Sequence, residues 1–208
     1  MLALFIVFLA NLYNLCAENK PERLEWLKDA GFGLFIHWSV DSQIGTVISH
    51  SLVGADDAYN EFFFKELPQT FNPKKYDPDQ WARLARIAGF KYVVFTVKHH
   101  SGFCMFDTNT TDFDIANTPY GEDITRELVD AFRAQGLKIG FYFSPDDFSE
   151  FHRQGMLISR VRPEALPTNN PELMALNKAQ VRELLTNYGP VDVFFIDGIQ
   201  GLRDGGLK

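Results

Sequence analysis

Asp197 closes the segment 191–196, in which five apolar residues are interrupted only by Asp192. A carboxylate at the end of so apolar a run needs a polar pocket or a partner, because burying it unpaired is costly. In a pocket it could serve as the nucleophile of a retaining glycosidase, whose second carboxyl acts first as acid and then as base. A helix cap or a salt bridge would occupy it equally well. Three histidines, His37, His99 and His100, also end apolar runs. Neutral imidazoles hold sugar hydroxyls by donating and accepting hydrogen bonds. Together with Asp197 they also form a ligand set for zinc or another transition metal, and isolated histidines are commonly just satisfied core groups. Two features weigh against metal. His37 is followed by Trp38 rather than forming a His-x-His pair, and adjacent His99 and His100 point to opposite sides of a regular strand, so both reach one pocket only if the chain bends there. Tyr142, Ser144, Asp146 and Asp147 end a third run, where Tyr142 either faces a substrate or fills the core. Glu61, with Phe62 and Phe63, lies in YNEFFFKEL, which reads as a pocket wall or as a half-buried helix. Cys104, in the run GFCMF, has no base nearby in sequence and reads as buried packing.

The elements that must position these groups are four apolar runs of strand length. They are FGLFIHW from Phe32, KYVVFTVKHH from Lys91, KIGFYFSP from Lys138 and VDVFFIDG from Val191. Near-continuous rather than alternating hydrophobicity is the mark of buried parallel strands. Helical stretches lie between them: DPDQWARLARIAG, capped by Asp77 or Asp79 and closed at Gly89; EDITRELVDAFRAQG, closed at Gly136; and a third from Asn170 to Gly189. Every strand ends in polar residues at its C-terminal side, which is where a (β/α)8 TIM-type barrel builds its active site. A doubly wound sheet would gather such groups at a single switch point instead. Four strands make half a barrel, since closure takes roughly 250 residues. The expectation is therefore an α/β chain carrying the first four β/α units, with 18–208 forming the N-terminal half of a catalytic barrel. The long connections 40–60 and 147–170 are expected to shape its mouth.

Composition narrows the function classes. In 208 residues, 46% are hydrophobic and 14% aromatic, enough for a substantial core. The net charge of −7 is dispersed and no basic stripe exists, which argues against a nucleic-acid partner. Residues 1–17 form an apolar leader followed at once by charged residues and read as a signal peptide, although no Lys or Arg precedes the apolar stretch. A short membrane anchor is the alternative. Cleavage near Ala17 removes Cys16, leaves Cys104 without a disulfide partner and leaves no stable membrane span. The expected location is secreted, periplasmic or lysosomal.

The motifs KYVVFTVKHHSGFCMFDT, FGLFIHW, GFYFSPDDF and YGPVDVFFIDG, in this order, resemble those of the retaining α-L-fucosidases of glycoside hydrolase family 29. The resemblance runs from about Trp26 to the end. It implies that Asp197 is the nucleophile forming a fucosyl-enzyme intermediate. It implies further that His37, His99 and His100 bind hydroxyls and that Tyr142 lies close to the reacting centre. Phe195 stands where many members have Trp beside the nucleophile, and Phe62 replaces another pocket Trp. Ser39 stands where Gly commonly follows His-Trp, and Phe148 where Trp often ends the third motif. The substrate so implied is a fucosylated glycan, with no cofactor. The family's acid/base Glu and its C-terminal β-sandwich are expected to lie outside this sequence, since none of Glu61, Glu122, Glu164 or Glu183 matches the Glu. Rival readings are a non-catalytic fucose-binding protein and a metal-dependent barrel hydrolase.

Overall fold

The computed structural model describes residues 20–46, 49–159, 163 and 166–198. The expected leader lies outside the described residues, and among these no helix is long and apolar enough to cross a membrane. Helix α1 (Pro21–Ala30) precedes strand β1 (Gly33–Ile36). Helices α2 (Asp57–Glu61) and α3 (Pro78–Ile87) lead to β2 (Tyr92–Lys98), and α4 (Ile124–Ala134) leads to β3 (Lys138–Phe143). Helices α5 (Phe148–Arg153) and α6 (Pro171–Asn187) then lead to β4 (Val193–Ile196).

The strands form one parallel sheet in the order β1-β2-β3-β4. Spatial order follows sequence order with a helix in every crossover, so the chain advances in one direction, as a barrel does. A doubly wound sheet would reverse.

The helices begin where local chemistry dictates. Asp77, Asp123 and Asn170 accept hydrogen bonds from the backbone N–H of Gln80, Arg126 and Leu173, satisfying donors that a helix start leaves open. Of the two candidate caps for α3, Asp77 is therefore the one used. Along α4, Ile124, Leu128, Val129 and Phe132 recur at helical spacing and are fully buried against the sheet. Each such side chain contributes roughly 1.5–3 kcal/mol relative to exposure.

The sheet's alternation separates two faces. Val93, Phe95 and Val97 of β2 and Ile139, Phe141 and Phe143 of β3 are buried in the helix-facing core. On the other face the register aligns Thr96 with Tyr142 and Tyr142 with Phe195, one residue row below the strand ends. All four strands are shorter than the apolar runs that contain them. Phe35 and Phe195 remain 44% and 47% exposed, since β1 and β4 are the edges of the described sheet. Cys104 is buried, and burial pushes its thiol well above the ordinary range, as its packing role requires.

Candidate active site

Asp197 is held just beyond β4 because its backbone N–H continues the ladder to the carbonyl of Phe143 at 3.1 Å. Its side chain stays 40% exposed. The Tyr142 hydroxyl, directed there by the β3 register, donates to Oδ2. His100 Nε2 lies 3.7 Å from the same oxygen.

The two adjacent histidines both reach this point because the strand ends early. The β2–β3 register slips between Thr96 and Lys98, and the Gly102 N–H then bonds the His99 carbonyl at 3.0 Å to close a turn. Only glycine serves there. Its φ is +89°, and a Cβ would lie 2.1 Å from Asp147 Oδ1. What presses so close is a buried ionic knot. Lys98 Nζ, fully buried, donates to Asp147 Oδ2 at 3.1 Å and to Asn177 Oδ1 at 3.0 Å, and lies over the Phe143 ring. The His100 and Ser101 carbonyls accept from the backbone N–H groups of Phe148 and Ser149, tying the turn to α5. His99 Nδ1 then meets Ser49 Oγ at 3.1 Å, His100 Nδ1 bonds Ser144 Oγ, and the two rings sit 4.3 Å apart.

His37 completes the row from β1. Its Nδ1 is 3.1 Å from Thr96 Oγ1, and its ring lies 5.1 Å from Tyr142 and 4.2 Å from Phe35. Desolvation holds its pKa below 6.5, opposed by the charge of Asp197. The Tyr142 ring is flanked by those of His99 at 5.5 Å and Phe195 at 5.6 Å, both nearly parallel to it. A carboxylate, three imidazoles, a phenol and an apolar ring thus share one mouth. They offer donors and acceptors for several hydroxyls, one aromatic face and one carboxylate able to attack carbon.

Residues 10–203 match the protein family described as alpha-L-fucosidase. The chain belongs to the α-L-fucosidase family. It is similar to α-L-fucosidase isoenzyme 1 from Paenibacillus thiaminolyticus, with a TM-score of 0.69 and 38% identity over 85% of this chain and 42% of that one. It is also similar to a family 29 α-L-fucosidase from Bacteroides thetaiotaomicron, solved as a trapped covalent intermediate with 2-fluoro-fucosyl fluoride. There the TM-score is 0.69 and the identity 30%, over 87% of this chain and 42% of that one. Alpha-L-fucosidase 1 of Arabidopsis thaliana is 31% identical over 140 residues, 66% of this chain and 25% of that one. The chain therefore spans between a quarter and about two fifths of the length of these three relatives.

Five of the eight residues singled out from the sequence, His37, His99, His100, Tyr142 and Asp197, form this fucosidase-family cluster directly, and Phe195 joins it through Tyr142. Glu61 and Phe62 make their contacts elsewhere. Glu61 ends α2 facing α5, where it pairs with Lys65 and with His152 at 3.3 Å. Phe62, one residue on, turns against Tyr59 and the core. A cavity of about 1130 Å3 lies beside Glu61, and of its charged residues Glu61 pairs with Lys65, and Arg153 with Glu150 and Glu172. The carboxylate of Asp197, by contrast, stays open on one side. Sequence reasoning overlooked His50, whose ring lies 6.1 Å from both His99 and His100, together with Ser49 and Lys98. The signal for the first two was their place in the long 40–60 connection. For Lys98 it was a charge inside an apolar strand.

Proposed function

We propose that the chain carries the nucleophile and the hydroxyl-binding wall of a retaining α-L-fucosidase. The observation that supports this most is the setting of Asp197, whose Oδ2 accepts from Tyr142 and faces His100 while the carboxylate stays 40% exposed. Oδ1, which accepts none of these bonds, attacks the anomeric carbon of a terminal α-L-fucosyl group. The C–O bond to the leaving glycan breaks as an acid outside this cluster protonates the departing oxygen. Water then cleaves the fucosyl ester with net retention. His37, His99 and His100 hold ring hydroxyls, and Phe195 packs against the sugar's apolar side. Export through the leader 1–17 belongs to the same proposal, and N-terminal sequencing of the mature protein should begin near Glu18.

The test uses 2-fluoro-fucosyl fluoride, whose fluoride leaves with little help from an acid. The C–F bond breaks, fluoride departs and the sugar becomes esterified to the attacking carboxylate. Peptide mass spectrometry should find one fluoro-fucosyl group on Asp197 and none in Asp197→Gly. A label on another carboxylate would remove Asp197 from the role. No label, with L-fucose still bound, would favour a non-catalytic fucose-binding protein.

A second reading has its own observation. His99, His100 and Asp197 each offer a ligand atom within 4.8 Å of the others, so a metal-dependent hydrolase is the competing function. In that case no label should form on Asp197, and turnover of an aryl α-L-fucoside should be lost to a chelator and restored by zinc. The hydroxyl-binding reading expects no change with either.

A further inference from the structure

Among the described residues Ser49 is the only non-glycine with positive φ, at 56°. A serine rarely takes this conformation without something to hold it there. Its side chain is fully buried, and its backbone N–H donates to Asp41 Oδ2 at 2.6 Å. Asp41 is itself 2% exposed. The Ser49 hydroxyl has two partners. It accepts from the Ser101 N–H at 2.9 Å and meets His99 Nδ1 at 3.1 Å. A backbone N–H can only donate, and among the described residues this buried hydroxyl meets no acceptor other than His99 Nδ1, so its single hydrogen is satisfied only there. That nitrogen is therefore the acceptor, and the ring proton of neutral His99 sits on Nε2.

His100 is arranged the other way. Ser144 Oγ donates to the Asp146 carbonyl at 3.3 Å and so accepts from His100 Nδ1–H. Neutral His100 thus carries its proton on Nδ1, 3.8 Å from Asp146 Oδ2, and its lone pair on Nε2, 3.7 Å from Asp197 Oδ2. Two adjacent histidines are held by two serines in opposite tautomers.

We propose that Ser49, kept in its left-handed conformation by Asp41, is a positioning residue that fixes His99 as the Nε2–H tautomer, so that His99 and His100 present one donor and one acceptor. This deepens the fucosidase reading and rests on it for the ligand. A sugar's neighbouring hydroxyls match such a pair, one accepting from His99 Nε2–H and the next donating to His100 Nε2. With both rings in one tautomer, two donors or two acceptors would face the diol, and specificity for paired hydroxyls would weaken.

The tautomers can be read without sugar from the 15N chemical shifts and two-bond couplings of the imidazole nitrogens in 15N-histidine-labelled protein, with His99→Gln to assign the signals. The wild type should show His99 protonated on Nε2 and His100 on Nδ1. Ser49→Gly removes the hydroxyl yet tolerates φ of 56°, so the fold should persist, with some loss of resistance to denaturant because the buried Ser101 N–H loses its acceptor. In this variant His99 should become a mixture of tautomers while His100 stays unchanged, and L-fucose binding by calorimetry should weaken about tenfold, as for loss of one hydrogen bond. Asp41→Asn, which keeps an acceptor for the Ser49 N–H, should retain the wild-type tautomer, whereas Asp41→Ala should not. An unchanged His99 tautomer in Ser49→Gly overturns the proposal, as does a wild-type His99 protonated on Nδ1 or a wild-type His100 protonated on Nε2. A tautomer that shifts as expected in a protein that binds no fucose upholds the role of Ser49 and sinks the fucosidase reading instead.

Discussion

Replacing Lys98 by Met tests the knot beneath the active-site turn. The aliphatic stem is largely preserved, so little cavity is created, but the cation is lost from between Asp147 and Asn177. With the side chains of Lys98 and Asp147 at 0% and 2% exposure, water cannot replace the missing partner. Removing one member of such a buried pair costs about 3–5 kcal/mol, against a global stability of roughly 5–15 kcal/mol. Asp147 keeps two other donors, the Ser149 hydroxyl at 2.6 Å and the Glu150 N–H at 3.0 Å, which places the expected loss near the lower end, about 3 kcal/mol. Adding Asp147→Asn removes the orphaned charge while keeping an N-cap for α5. The double variant should therefore recover to within about 1 kcal/mol of wild type. Guanidinium unfolding followed by tryptophan fluorescence measures both. A loss under about 1 kcal/mol in the single variant, or a double variant no better than the single, would refute the claim that this ion pair holds the turn.

Among the described residues Ser39 Oγ is buried without a hydrogen-bond partner, so Ser39→Ala should be neutral or should stabilise by about 1 kcal/mol, and a loss of that size in the same unfolding assay would contradict it. The pH dependence of stability should carry a contribution from His37. Its folded pKa lies below 6.5, so as pH falls through this value the unfolded chain takes up the proton first, and stability present above 6.5 is lost until the folded pKa is passed. His37→Gln should flatten that part of the stability profile, and an unaltered slope would show that His37 is not its source.

Much of the architecture was legible because its causes are local. Asp77, Asp123 and Asn170 cap helices through bonds to residues three positions on, and the four apolar runs declare buried parallel strands with polar ends. The position of Asp197 followed from the same pattern. The bend that brings His99 and His100 together was recognisable only as a requirement. Its cause lies in Asp147 and Asn177, which are 49 and 79 residues away from Lys98. Glu61 and Phe62 were candidates for a pocket wall from the segment YNEFFFKEL and from the resemblance, and the pairing of Glu61 with His152, 91 positions away, is something no local spacing encodes.

From its residues alone the chain is a β/α barrel segment with a carboxylate and three histidines at the strand ends, because periodicity and capping act over a few residues and strand alternation fixes which positions share a face. Which of those groups meet, in which tautomers and with which supports, was decided by tertiary contact. Ser49 reaches His99 across 50 positions and Tyr142 reaches Asp197 across 55, and hydrogen bonds between groups so far apart in the chain exist only once the sheet has set its register.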